Sequence, residues 1–306
     1  MLEALQTNDM FAETLLQRRA GELDTGSWAF WGNGFGGTRK AGLFGDRDGW
    51  RSDSSGYGIG AETLTEVLGN PVLFGVSLGY SESAIDSRDS FGDVEAYHLG
   101  AFARTEHAAW QIATALSYAM QDFDFERALI GPGFSDIAYG ETEGSGWTLK
   151  SDAFYDLNWA GGPGPFAFGP VATLDVMAGD YDSFKETGAG ILNLTYIGED
   201  ALQTVLGLGG QGQFEGEVNG WGLETSVRVV WESLDGDRDI STLASFDNID
   251  GQVAPRSTRL DASRVALGLD TKLYLSDGIF AHIRYDTTHS QNALDHKGTA
   301  GITIAF

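Results

Sequence analysis

The sequence predicts an all-β protein: a closed antiparallel transmembrane β-barrel of about twelve strands, with an N-terminal α-helix threaded through its lumen. Three observations support this fold class. Long segments after Gly26 alternate apolar residues with small or charged ones, which is the period of a β-strand. Tryptophan and tyrosine recur towards the strand ends, as they do at a membrane interface. The chain also ends on an alternating strand, "GTAGITIAF", where termini normally fray.

The first element is a helix, which we predict over residues 2–19. This segment contains no glycine or proline and is rich in good helix formers. Arg18 and Arg19 fall in its last turn, where cations favour a helix end. We expect residues 1–25 to form a plug helix with its linker, and residues 26–306 to form the barrel.

The strands follow the helix without any further helical segment. The clearest alternating segments are residues 71–84, 109–121, 221–233 and 264–275. In the first of them Phe74 and Val76 face one way, whereas Gly75 and Ser77 face the other. The inward set is small or charged, which suits a wet lumen better than the outer face of a soluble sandwich. Because lipid leaves no sheet edge unpaired, the last strand must pair with the first.

The connections alternate between short and long. "LGNP" and "TEHAA" predict minimal turns, whereas "FDFERALIGPGFSDIAYGETEGSG" and "SLDGDRDISTLASFDNIDGQVAPRS" predict long loops. This asymmetry is typical of an outer-membrane barrel, and roughly 23 residues per strand and connection give about twelve strands. A count by segments gives about thirteen, so we expect one predicted strand between Gly162 and Phe214 not to be a full span.

The charge of the chain is strongly acidic, with a formal net charge of −25 and a pI near 4.3. This charge argues against a nucleic-acid partner, because phosphates are bound by lysine and arginine. The acidic residues cluster in "FGDRDGWRSDSSG", "DSRDSFGDVE", "QDFDFE" and "ESLDGDRDISTLASFDNID", which we predict to be loops. Such loops are either simply solvated or face a cation-rich outer surface.

Several other classes are excluded by composition. The chain has no cysteine, so it has neither disulfides nor thiolate metal sites. Its five histidines show no zinc spacing, and we expect no metal and no cofactor. The N-terminal residues lack the basic start and apolar stretch of a signal peptide, so an exported protein would be a fragment of a longer precursor.

The order of these segments resembles the translocator (β-barrel) domain of monomeric autotransporters, which belong to type V secretion in Gram-negative bacteria. The resemblance covers nearly the whole chain. It rests on the helix followed by "GSWAFWGNGFGG", "GYGIGAET", "LFGVSLGYSES", "DVEAYHLGAFAR", "FGPVATLD…FKETGAG", "LQTVLGLGG" and a terminal strand that ends on Phe. The chain lacks a passenger and so looks like an excised barrel.

The resemblance implies a monomer in the bacterial outer membrane that anchors and exports an N-terminally fused passenger, with long acidic loops facing outward, and that is not an enzyme. The partners that it implies are outer-membrane lipid and lipopolysaccharide, the outer-membrane assembly machinery and the passenger. In the family the terminal aromatic is the assembly signal, a role that falls here on Phe306, with Ile304 and Ile302 as its alternating apolar partners. Gly298 stands where an aromatic is common.

Inward charges are predicted to hold the helix in the lumen, with acidic wall residues meeting Arg18 and Arg19. The wall residues that we assign to these contacts are Glu62, Glu66, Glu224, Arg228, Glu232, Arg264, Asp270 and Arg284. The alternative is that these charges only solvate a wet pore.

Two other functions stay open at this point. A passive outer-membrane channel would need an open lumen without a plug. A barrel hydrolase would need an outward Ser–His pair; "GVSLG" matches a nucleophile elbow, but its Ser77 lies in the middle of a predicted strand. Some relatives cut their passenger free inside the pore with an asparagine and a lumen acid, and Asn8–Asp9 would be available for such a cleavage.

Overall fold

The structure is a computed structural model that describes residues 2–17, 23–42, 49–88, 90–131, 134–158, 165–238, 243–246, 252–253, 259–276 and 278–306. Helix α1 spans Leu2–Leu16. The strands are β1 (Trp28–Ala41), β2 (Trp50–Val67), β3 (Asn70–Ser87), β4 (Ser90–His107), β5 (Trp110–Gly131), β6 (Phe134–Tyr155), β7 (Phe166–Tyr181), β8 (Phe184–Lys185), β9 (Leu194–Tyr196), β10 (Glu199–Val218), β11 (Trp221–Gly236), β12 (Ala244–Phe246), β13 (Gln252–Val253), β14 (Ser263–Ser276), β15 (Ile279–His289) and β16 (Ala293–Ala305). None of the helical residues described here belongs to a helix long and apolar enough to cross a bilayer.

Twelve of the described strands form a closed antiparallel barrel. The ring closes between β1 and β16, where Ala29 lies opposite Ala305. Strands β8, β9, β12 and β13 form a separate four-stranded sheet, which we call the loop-end sheet. The predicted closed barrel of about twelve strands is confirmed. The surplus strand predicted between Gly162 and Phe214 corresponds to β8 and β9, which lie in the connection from β7 to β10.

Side chains alternate between the outside and the lumen, as predicted. On β3, Val76 and Leu78 are 59% and 60% exposed, whereas Ser77 between them is only 3% exposed. In water such exposed apolar residues would be costly, but facing lipid they provide the surface that holds a barrel in the membrane.

Aromatic residues form two exposed bands on the outward surface. On β5, Trp110 and Tyr118 are both exposed and lie eight residues apart, which is about 26 Å of strand at 3.3 Å per residue. On the neighbouring strands the rings of Tyr57 and Tyr80 lie 5.9 Å apart, and those of Tyr80 and Tyr97 lie 5.4 Å apart. Because the strands of such barrels tilt by about 35–45°, the length of strand between Trp110 and Tyr118 corresponds to roughly 20 Å of height, which fits within an apolar band of roughly 25 Å between two interfaces.

The two ends of the barrel differ. At one end, which we call the turn end, residues 68–69, 108–109 and 219–220 are tight turns. Asn219 and Gly220 have φ values of 53° and 82°, as the Asn-Gly pair of a type I′ hairpin requires. At the other end, the loop end, residues 182–198 join β7 to β10 and residues 237–262 join β11 to β14.

All four acidic segments predicted to be loops lie wholly or partly in strands instead. Residues 121–126 belong to β5, residues 86–95 cover the ends of β3 and β4, residues 50–56 belong to β2, and residues 232–236 belong to β11. The long loop predicted after residue 122 is a hairpin of β5 and β6 in which Asp122 faces Glu143. This hairpin continues about 40 Å along the strand beyond Tyr118. The prediction was wrong because strands that leave the lipid keep their pairing while both of their faces become polar.

Candidate functional site

Helix α1 lies inside the barrel and packs against β1 to β7, so its predicted placement in the lumen is confirmed. Phe11 is completely buried and stacks on the His98 ring, with centroids 4.7 Å apart. A Cβ atom on Gly79 would lie 2.5 Å from the Phe11 ring, and one on Gly100 would lie 2.6 Å from Leu15. Glycine at these two positions therefore allows the helix to approach the wall closely.

The helix runs from the loop end to the turn end. Leu5, near its N-terminus, packs in a cluster with Met177 and Leu234, which lie next to the long connections. At the C-terminus Arg104, close to a tight turn, donates to the Leu16 carbonyl at 3.4 Å. The N-terminus of α1 therefore lies at the loop end, and residues 23–27 lead into β1 from the turn end.

The end of α1 at Leu16 is earlier than the predicted end at residue 19. Arg18 and Arg19 lie outside the residues that the structure describes, so the contacts expected of them stay a prediction.

Asn8 connects the helix to the wall by hydrogen bonds at a fully buried position. Ser117 donates to Asn8 Oδ1 at 2.8 Å, and Asn8 Nδ2 donates to Thr148 Oγ1 at 3.1 Å. His98 Nδ1 lies 3.4 Å from Asn8 Oδ1, and its Nε2 lies 2.8 Å from Ser81 Oγ. The Ser81–His98 pair faces the helix inside the barrel. A hydrolase site would instead need a Ser–His pair that is open to substrate.

Asp9 and Glu13 form the ionic contacts of the helix. They lie four residues apart and so share one face. Lys150 Nζ lies 2.6 Å from Asp9 Oδ1 and 3.1 Å from Glu13 Oε2. Lys297 Nζ lies 2.6 Å from Asp9 Oδ2, and Arg284 Nη2 lies 2.6 Å from Glu13 Oε1. We call these five side chains the helix-acid cluster. Buried pairs of this kind are costly to break, because a charge is left without its partner.

The polarity of this cluster is the reverse of the predicted one, since the helix supplies the carboxylates and the wall supplies the cations. Arg284 is the residue of our predicted wall set that pairs ionically with α1 in the described part of the chain. Asp9 was named only with Asn8 for a possible cleavage, and neither Asp9 nor Glu13 was predicted to pair with cations of the wall. Their i, i+4 spacing was the available signal, together with the inward position of Lys150 on β6.

Three other predicted residues, Arg228, Arg264 and Glu232, pair within the wall. Arg228 Nη1 lies 2.7 Å from Asp152 Oδ2, and Arg264 Nε lies 2.5 Å from Glu232 Oε2. The second pair joins the adjacent strands β14 and β11, whereas the first joins β11 to β6 past β10 and β7. Neither pair joins the wall to the helix.

The remaining predicted wall residues take different positions. Glu224 is buried and accepts a hydrogen bond from the Tyr274 hydroxyl at 3.1 Å. Glu62 is buried too, and Asp270 lines a cavity beside Leu16. Glu66 is exposed near the turn end of β2. Across the described residues, no group of three or more histidine or acidic side chains could hold a metal ion.

The terminal strand places its apolar residues on the outward surface. Ile302, Ile304 and Phe306 are 45%, 38% and 77% exposed. The Phe306 amide donates to the Trp28 carbonyl at 2.9 Å, and the Phe306 ring lies 6.0 Å from that of Phe30 on β1. The last residue is thus fixed at the seam of the barrel with its ring towards lipid.

The loop-end sheet is held to the barrel by a network that the sequence did not predict. Arg127 of β5 forms a bidentate pair with Glu186, with distances of 2.9 and 2.5 Å. Glu186 also accepts from the Leu194 amide at 2.8 Å and from the Tyr196 hydroxyl at 3.2 Å. Burial and the neighbouring carboxylate raise the pKa of the Tyr196 phenol, so the hydroxyl stays a donor even at an alkaline pH where a free phenol ionises.

Comparison with known proteins identifies a family and a set of similar structures. A family model described as Autotransporter beta-domain matches residues 30–286. No curated protein sequence matches the chain.

Three solved structures illustrate the likeness of fold. The translocator domain of autotransporter NalP from Neisseria meningitidis is 15% identical, with a TM-score of 0.71, and the match covers 99% of this chain and 97% of that chain. The beta domain of the Bordetella autotransporter BrkA is 17% identical, with a TM-score of 0.65 and coverage of 92% and 100%. The transport unit of AIDA-I from Escherichia coli is 12% identical, with a TM-score of 0.60 and coverage of 98% of each chain.

Proposed function

Because the chain belongs to the autotransporter beta-domain family and is an outer-membrane β-barrel translocator, we propose that it anchors and exports a passenger segment fused ahead of α1. Translocator domains of this family are transport units rather than enzymes. In this proposal residues 1–25 are the plug and linker, and residues 26–306 are the translocator. The observation that carries it is the course of α1, whose N-terminus lies at the loop end. A segment fused ahead of α1 would therefore leave the barrel at the loop end.

The loop end is proposed to face the cell exterior. The long connections lie at this end, and the carboxylates of the β5–β6 hairpin continue beyond the aromatic band. Long loops on the outside and tight turns in the periplasm are usual for outer-membrane barrels. The lipid partner at this level would be the outer leaflet with its lipopolysaccharide.

The terminal strand is proposed to be the part that the outer-membrane assembly machinery recognises. Phe306, Ile304 and Ile302 form one apolar row on the lipid-facing side. Their exposure supports recognition before insertion, because a protein partner can then contact the row directly.

The lumen wall is proposed to hold α1 as a plug. The helix-acid cluster and the hydrogen bonds of Asn8 support this role, since both join the helix to the wall. Solvation of a wet pore would instead need no partner on the helix.

The proposal is tested with short epitopes in cells. An epitope placed directly ahead of Leu2, in a chain given a signal sequence, should be labelled by antibody on intact cells. The matched control carries the same epitope beside Gly26, whose amide bonds to Leu64 at the turn end. That epitope should be labelled only after the outer membrane is permeabilised. Labelling of the first epitope only in permeabilised cells would contradict the proposal.

A further inference from the structure

Helix α1 leaves part of the lumen unfilled, because it lies against the wall of β1 to β7. In the described part of the chain, three cavities of about 50, 60 and 20 Å³ lie along β11, β14 and β15, and residues of α1 line the first two. One water molecule needs roughly 10–15 Å³, so each cavity has room for at least one. We call them, in this order, the turn-end, middle and loop-end cavities.

The three cavities follow one another along the barrel. Arg284 lines the turn-end cavity, Asp286 lines the middle cavity, and Ser290 lines the loop-end cavity. These residues succeed one another along β15 and the connection after it. Neighbouring cavities also share lining side chains: Arg228 belongs to the first two, and Arg264 belongs to the last two. Leu16, Asp152 and Arg284 also line both of the first two cavities, and Thr288 lines both of the last two. A few shared side chains therefore separate one cavity from the next.

An ion pair lies at each of the two boundaries between neighbouring cavities. Arg228 pairs with Asp152 at 2.7 Å, and Arg264 pairs with Glu232 at 2.5 Å. The cavities between them are polar. In the middle cavity, Thr173 Oγ1 is buried and has no hydrogen-bond partner among the residues that the structure describes. A buried hydroxyl of this kind is normally satisfied by water.

We propose that the three cavities form one narrow water path through which small inorganic ions, such as K⁺ and Cl⁻, cross the barrel beside the seated helix. The two arginine–carboxylate pairs are its constrictions. The proposal depends on the position of α1 in the lumen and not on passenger export, which the epitope assay measures separately.

The chain without cysteine allows a direct test with single cysteines in the full-length protein. Thr173→Cys places a thiol in the middle cavity. The matched control is Ser77→Cys, which is also inward but only 3% exposed, on the wall that carries the helix. In planar bilayers with KCl, a small charged methanethiosulfonate should react with Thr173→Cys and remove most of the residual current. Ser77→Cys should keep its current, and should react only after α1 has been removed.

The constrictions are tested by removing a whole ion pair, so that no buried charge is left alone. Arg264→Ala combined with Glu232→Ala should raise the residual current severalfold. The control combines Arg127→Ala with Glu186→Ala, a pair of the same kind that joins β5 to the loop-end sheet outside the lumen path, and should leave the current unchanged. The proposal is overturned if Thr173→Cys does not react in the intact chain, if its reaction leaves the current unchanged, or if the two pair deletions have the same effect.

Discussion

At the scale of single residues, Lys150 is the cation on which the helix-acid cluster depends most. Its ammonium lies within 3.1 Å of carboxylate oxygens of Asp9, Glu13 and Asp175. We expect Lys150→Gln to lower the free energy of unfolding by about 3–5 kcal/mol, because three carboxylates lose a shared buried partner. Denaturant titration of the protein in lipid vesicles measures this loss.

The control for Lys150→Gln is Lys40→Gln, which removes the same charge from an exposed position on β1 and should cost less than about 0.5 kcal/mol. In a chain without α1, Lys150→Gln should cost much less than in the full chain, since two of the three carboxylates are then missing. Equal losses for Lys150→Gln and Lys40→Gln would show that the cluster does not stabilise the protein.

At the scale of the element, the terminal strand combines a structural contact with a proposed signal, and the two can be separated. Deleting Phe306 should lower insertion into the outer membrane of cells severalfold and change refolding in detergent little. The reason is that detergent refolding needs only the pairing of β16, whereas insertion in cells also needs recognition of the exposed terminal row. Heat-dependent migration on a denaturing gel measures the folded fraction in both settings.

Phe30→Ala is the matched control for the Phe306 deletion, because the two rings contact each other at the seam. It removes that contact and keeps the terminal residue. If both variants insert equally poorly in cells, Phe306 has only a structural role.

At the scale of the whole molecule, α1 and the barrel act as a plug and its housing. Removing residues 1–20 should raise single-channel conductance severalfold, since a helix with its side chains is about 10 Å across. The melting temperature should fall as well, because Lys150, Arg284 and Lys297 then lose their partners on the helix. A full chain with a short epitope ahead of Leu2 should conduct like the unmodified protein. Unchanged conductance on truncation would show that the helix does not obstruct the pore.

The same scale shows what the sequence could predict. The alternating residues and the terminal strand were enough to predict the closed barrel. An alternating pattern fixes which side chains face lipid and which face the lumen, because a shift of one residue in register moves every side chain to the other face. The partners within the lumen could not be predicted, because periodicity shows that Lys150 and Arg284 point inward but not which helix face they meet. The loop-end sheet was not predicted because β8, β9, β12 and β13 are each only two or three residues long. Segments this short show no recognisable alternation.

The seam between β1 and β16 also imposes an order of events. It joins Ala29 to Ala305, which are almost the first and the last residues of the barrel to leave the ribosome. Contacts so distant along the chain form slowly, and until they form both strands keep an unpaired edge. The helix is made before any strand, and a folded segment ahead of it could not pass through the finished ring. We therefore expect α1 to take its place while the seam is still open, so that the route of the passenger is decided during assembly rather than by the completed barrel.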